Sequence, residues 1–132
     1  IGMLLVSCGS KRLDNPKAQF IRDFGLNIEK KDCVLEELFN NYEGVPYEGI
    51  ALYKLAVGED VRQAFLQWER FPFSEEAENF LESLSAYVEL PLIADGYWKM
   101  VDRNPGTSAY TNVSLCVYDR ATGAAYLLTM DI

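Results

Sequence analysis

Asn112–Ile132, NVSLCVYDRATGAAYLLTMDI, divides into two alternating halves around a five-residue interruption. Val113, Leu115 and Val117 alternate with Ser114, Cys116 and Tyr118. After Asp119-Arg120-Ala121-Thr122-Gly123, Tyr126, Leu128, Met130 and Ile132 alternate with Ala125, Leu127, Thr129 and Asp131. A strand sends successive side chains to opposite faces of a sheet, so the pattern predicts two strands. The interruption leads with Asp and closes on Gly, which takes a positive φ without steric penalty and so ends a type I turn with a bulge. The stretch therefore reads as a β-hairpin. Its second strand is nearly all apolar, which places it inside the sheet with both faces covered.

Upstream, Gly96–Arg103 (GYWKMVDR) reads as a strand feeding this hairpin through the loop Asn104–Thr111. Cys33–Phe39 and Gly49–Val57 read as an earlier pair of strands, joined by turn chemistry at Asn40–Pro46. Two amphipathic helices lie between the pairs. One covers about Glu59–Glu69, with Val61, Phe65 and Trp68 on one stripe and acids in its first turn, where the helix dipole favours them. The other starts at Ser74 as N-cap, with Ala77, Phe80, Leu81 and Leu84 at helical spacing. Ala18–Ile28 fits either a short helix or a strand. The expected fold is α+β: an antiparallel sheet of about five or six strands with the two acidic helices packed on one face.

At 132 residues, 49% hydrophobic and 24% charged, the chain suits one globular domain. Residues 29–82 carry thirteen acids against five bases and hold most of the formal charge of −8. A surface of that sign repels phosphate backbones, which disfavours nucleic acid and permits a basic partner. Histidine is absent, which removes Ser-His-Asp and Cys-His nucleophile systems and His-containing zinc sites. Walker A, G-x-G-x-x-G, H-E-x-x-H, EF-hand and Ser-x-x-Lys motifs are also missing. No cofactor, metal or catalytic residue is expected.

The N-terminal run Ile1–Ser10, IGMLLVSCGS, carries Leu5-Val6-Ser7-Cys8, which has the form of a bacterial lipobox. That resemblance implies cleavage before Cys8 and a diacylglyceryl group on its sulfur. Residues 1–8 then read as the end of a lipoprotein signal sequence, residues 9–17 as a tether, and residues 18–132 as the domain. An edge strand with Cys8 as a buried thiol is the other reading of the same run. Cys33 and Cys116 remain, either paired or as two separate buried thiols.

Several short features resemble a family of small, uncharacterised lipoproteins of Gram-positive bacteria. They are Phe24-Gly25-Leu26, the acidic turn Gly44–Gly49, Trp68 with Pro72, the strand Gly96-Tyr97-Trp98 ending in Asp102-Arg103, and the final hairpin with Tyr126 and Asp131. The turn Tyr42–Gly49 departs from that pattern in having no histidine. The resemblance implies an address and an architecture, and no activity.

The candidate binding residues are Asp95, Tyr97, Trp98, Asp102 and Arg103. The carboxylates could act as a pair and the rings as a platform for a sugar; strand ends also collect Asp and Arg simply because they face water. The leading functional expectation is a lipid-anchored extracytoplasmic lipoprotein, held in the bilayer through Cys8, that binds a protein or small ligand without catalysis. The alternative is a small acidic inhibitor or immunity-type protein docking on a basic partner. A carboxylate hydrolase ranks third.

Overall fold

The computed structural model describes residues 15–26, 28, 33–44, 48–106 and 110–132. In chain order its elements are α1 (Pro16–Phe24), β1 (Val34–Asn40), β2 (Gly49–Ala56), α2 (Glu59–Phe65), β3 (Glu69–Arg70), α3 (Glu75–Ser83), β4 (Gly96–Asp102), β5 (Asn112–Asp119) and β6 (Ala124–Asp131). The strands form one sheet in the order β1-β2-β6-β5-β4-β3, each pair antiparallel. The α+β class and the six-stranded antiparallel sheet are as the sequence predicts.

The C-terminal hairpin occupies the two middle positions, and every residue of β5 and β6 is buried. Its turn works as its composition implies. The Asp119 carboxylate accepts from the Ala121 N–H (3.0 Å) and the Thr122 hydroxyl (3.1 Å), and Gly123, at φ 73°, donates its N–H to the Asp119 carbonyl at 2.9 Å. Next to it, Gly96 starts β4 where only glycine fits: a Cβ there would stand 1.9 Å from the Tyr118 carbonyl oxygen.

The period of two sorts the strand residues into two cores. On the first face Ala51, Tyr53, Leu55, Cys116, Tyr118, Ala125 and Leu127 meet Phe20 and Phe24 of α1 and Val61 and Phe65 of α2. On the second, Ile50, Leu52, Trp98, Val113, Leu115, Val117, Tyr126, Leu128 and Met130 meet Ala77 and Phe80 of α3, then Leu84. This corrects one expectation. The helices at residues 59–65 and 75–83 do not share a face; they straddle the sheet. The chain changes sides through β3, a two-residue edge strand paired with Trp98 and Tyr97, whose first residue, Glu69, reads in sequence as the end of a helix. The second helix on the α2 face is α1 instead.

α1 settles the ambiguous segment as a helix over Pro16–Phe24, and both its ends are capped. Asn15 Oδ1 accepts from the N–H groups of Lys17 (2.9 Å) and Ala18 (3.4 Å), Pro16 stands in the first turn, and Gly25, at φ 69°, closes the helix on the Ile21 carbonyl. Pro16 and Lys17, read as the end of a tether, thus belong to this helix. Of the tether and signal readings, residues 1–14 lie outside the described residues, Cys8 among them.

Two further details differ from the sequence reading. The alternation of β1 breaks at a bulge between Glu37 and Phe39, so that Leu35 packs on the first face, Phe39 on the second, and Leu38 stands 44% exposed. The helix expected over 59–69 stops at Phe65, and Trp68 folds back onto its ring, with centroids 4.7 Å apart and planes at 81°.

Cys33 and Cys116 are separate free thiols, both buried in the first core. Burial pushes the Cys116 thiol well above its ordinary range, so its thiolate is scarce. Native protein with an intact fold is therefore expected to leave both unlabelled by iodoacetamide over an hour at pH 8, and both should react at once in denaturant. Intact mass reads the count; rapid native labelling of either would contradict the packing described here.

Candidate functional site

The five residues singled out from sequence lie on β4 or at its ends, and the structure distributes them over different tasks. Asp95 stands in solvent between two guanidinium groups, 3.4 Å from Arg70 Nη2 and 3.1 Å from Arg120 Nη1. The hydrogen bond from Arg70 is the main cause of its lowered pKa, with the nearby positive charges acting in the same direction, so it stays a carboxylate. Tyr97 turns to the first core and Trp98 to the second, where its indole N–H donates to the Pro72 carbonyl at 3.3 Å. Neighbours on one strand face opposite ways, so the two rings form no common platform. Asp102 accepts from the Asn104 N–H at 3.0 Å. Six residues of extended chain, a span of about 23 Å, separate Asp95 from Asp102. That distance is far beyond the roughly 5–9.5 Å across which paired carboxylates cleave a glycosidic bond.

Arg103 does something the sequence reading misses. Its side chain is 2% exposed, and Nη1 binds Asp131 Oδ1 at 2.6 Å while Nη2 reaches Oδ2 at 3.3 Å. Nη2 also donates to the carbonyls of Val113 and Met130, both at 3.2 Å, and Nε donates to Ser114 Oγ at 3.0 Å. Asp131 is fully buried and takes a further bond at 2.7 Å from the Tyr42 hydroxyl, in the β1–β2 connection. With its amide nitrogen turned toward Asp131, Asn112 donates to Oδ1 at 2.7 Å. Asp23 of α1 joins from the other side, accepting from Gln19 and from Ser114, each at 2.5 Å, with its Oδ2 3.7 Å from Arg103 Nε. The cluster thus ties α1, the β1–β2 connection and the ends of β4, β5 and β6 together. Its charged groups are occupied with one another, the arrangement that makes buried ions tolerable. Its chemistry is structural.

Concavities open on the second face. A groove of about 570 Å³ runs between α3 and residues 84–95, with Leu128 as its floor. Phe71, Phe73, Leu81, Val88 and Ile93 supply apolar walls, and Glu78, Glu82 and Glu89 are its charged lining residues. Beyond Glu89–Leu92 the surface dips again into a second hollow of about 550 Å³, lined by Glu36, Leu38, Lys54 and Tyr126. Leu92, between them, is wholly exposed. Among the described residues, no backbone hydrogen bond ties residues 89–94 to the sheet or to α3, so side-chain packing holds this strap. The groove is of the size and polarity of ordinary ligand and peptide sites. No sequence signal announced it, because its walls come from three separated segments.

Among the described residues no group of three or more Cys, Asp and Glu side chains is placed to hold a metal ion, and no helix is long and apolar enough to cross a membrane. Compared with family models, curated proteins and solved structures, the chain has no match in any of the three.

Proposed function

We propose that this chain is a non-catalytic binding module, held at the outer face of a cell membrane by an acylated Cys8, with the groove on its second face as the binding surface. The groove is the observation that carries the reading: an apolar trough of about 570 Å³ with a carboxylate rim offers contact area and charge. The buried ionisable cluster around Arg103, by contrast, is taken up with holding the fold.

The membrane address is supported by the lipobox form of Leu5-Val6-Ser7-Cys8 and by the resemblance to small Gram-positive lipoproteins. Six residues separate Cys8 from Asn15, the cap of α1. Fully extended, that length spans about 25 Å, so an acylated Cys8 would keep the domain close against the bilayer. Two acyl chains anchor firmly, since each buried methylene contributes about 0.8 kcal/mol.

Expression from the full upstream sequence in a Gram-positive host tests the address. The expected product sediments with membranes, has the mass of a chain beginning at a diacylglyceryl-modified Cys8, and becomes soluble in a Cys8→Ala variant. A soluble product with an unmodified cysteine would overturn the anchor. It would favour the second reading, an acidic inhibitor or immunity-type protein, for which the glutamates around the groove also speak.

A further inference from the structure

We propose that the groove between α3 and residues 84–95 is a docking site for a basic amphipathic helix of a partner protein, an inference that rests on the groove being the binding surface. Three observations converge on that occupant. First, the groove's charged lining is all of one sign, Glu78, Glu82 and Glu89.

Second, one of these carboxylates stands where α3 ends. Glu82 sits in the last turn of the helix, beside the carbonyl end of the dipole, and that turn contains no basic residue. A carboxylate there is disfavoured by the helix itself, and a lysine or arginine brought in by a partner relieves both charges at once. Glu89 lies on the same groove.

Third, apolar side chains stand out of this surface instead of being folded into it. Leu92 is 101% exposed on the rim, and Leu38 is 44% exposed in the adjoining hollow. A small enclosed ligand would leave the Leu92 side chain in water. A helix lying along the groove covers it, with leucine-like anchors at helical spacing over Leu81 and Val88 and its basic residues over the glutamates. A second copy of this chain is a poor fit, because its net charge of −8 meets the same acidic rim.

The test titrates the purified chain with three synthetic peptides: one with leucines at i, i+3, i+4 and i+7 among lysines, the same residues scrambled, and a leucine–glutamate counterpart. Neutral Nile red reports separately on apolar binding in the groove. Calorimetry and amide chemical shifts read the result.

The expected outcome is one-to-one binding of the patterned basic peptide, with shifts at Leu81, Val88 and Leu92 and displacement of Nile red. Affinity should fall about tenfold in Glu82→Lys and by a similar factor in Leu92→Ser, both exposed positions whose change spares the fold. Equal binding of the scrambled or acidic peptide, or shifts confined elsewhere, overturns the inference. Nile red bound in the groove with no peptide bound overturns the helix and leaves the groove as a site for small apolar ligands. Binding of neither overturns both, and dimerisation on peptide-free concentration would assign the face to a second copy.

Discussion

Replacing Arg103 with leucine is expected to lower the stability of the domain by about 3–5 kcal/mol, the range for removing one member of a buried ion pair. The loss comes less from the missing attraction than from what remains. Asp131 is fully buried, and without the guanidinium it keeps only the neutral donors Tyr42 and Asn112. The carbonyls of Val113 and Met130 lose the Nη2 donor, and Ser114 loses its bond from Nε. For a chain of this length the change corresponds to a fall in Tm of roughly 10–20 °C. Arg103→Lys should recover part of the loss, since an ammonium restores the charge but cannot reproduce the bidentate fork toward Asp131. Hydrogen exchange gives the spatial signature: protection should drop first in α1, which Asp23 joins to the cluster, and at the Asp131 end of β6. A variant as stable as the parent to within about 0.5 kcal/mol would show that the cluster does not hold these elements together.

Phe65→Ala is expected to cost a similar amount, about 3–5 kcal/mol, by a different route. Phe65 is fully buried on α2 and belongs to a chain of rings that crosses the first core. It stacks on Tyr118 of β5 with centroids 4.8 Å apart and planes at 7°, meets Trp68 edge-on at 4.7 Å, and Trp68 in turn meets Phe24 of α1 at 5.4 Å. Truncation opens a cavity between α2 and the sheet, and the two ring contacts it removes contribute about 0.5–1.5 kcal/mol each beyond their area. Near-ultraviolet circular dichroism should weaken, because Trp68 and Tyr118 lose their fixed neighbour. Phe65→Leu keeps most of the volume and should cost less than half as much. If alanine here cost under about 1 kcal/mol, α2 would not be seated on the sheet as described.

Both arguments depend on contacts that the sequence suggests only in part. Phe65 is legible as core, because it falls on the apolar stripe with Val61. That its ring stacks on Tyr118 is not, since the two lie in separate elements. A strand-end arginine beside a Pro-Gly loop reads as solvated, yet the Arg103 side chain is 2% exposed. Nothing near it in sequence signals that burial, because its partner Asp131 is 28 residues away. Asp131 reads only as a polar position in an otherwise apolar strand, and it is at 0% exposure. α1 shows the opposite situation. Gly25 marks the end of this helix in the sequence, whereas Asn15 and Pro16, its start signals, fall in a run, residues 9–17, that reads as a polar tether.

Local periodicity and local hydrogen bonding are legible along the chain. The hairpin 112–132 alternates, turns on Asp119 and Gly123 and is apolar on both faces of its second strand, so it forms and lies in the middle of the sheet. Ser74 caps α3 through its hydroxyl, which accepts the Ala77 N–H at 3.2 Å. These features involve residues within a few positions of one another, and the chain carries the whole interaction in one stretch. Which face each helix covers, where Arg103 finds its counter-ions and where a groove remains open follow from long-range packing instead. An amphipathic helix specifies that one stripe is buried, and either face of a sheet apolar on both sides satisfies it. The side was chosen by the passage of the chain around the β3 edge, which sent α3 away from α2 and left residues 84–95 to cross the second face. The groove is what that crossing leaves uncovered, a property of three segments packed together and of none of them alone.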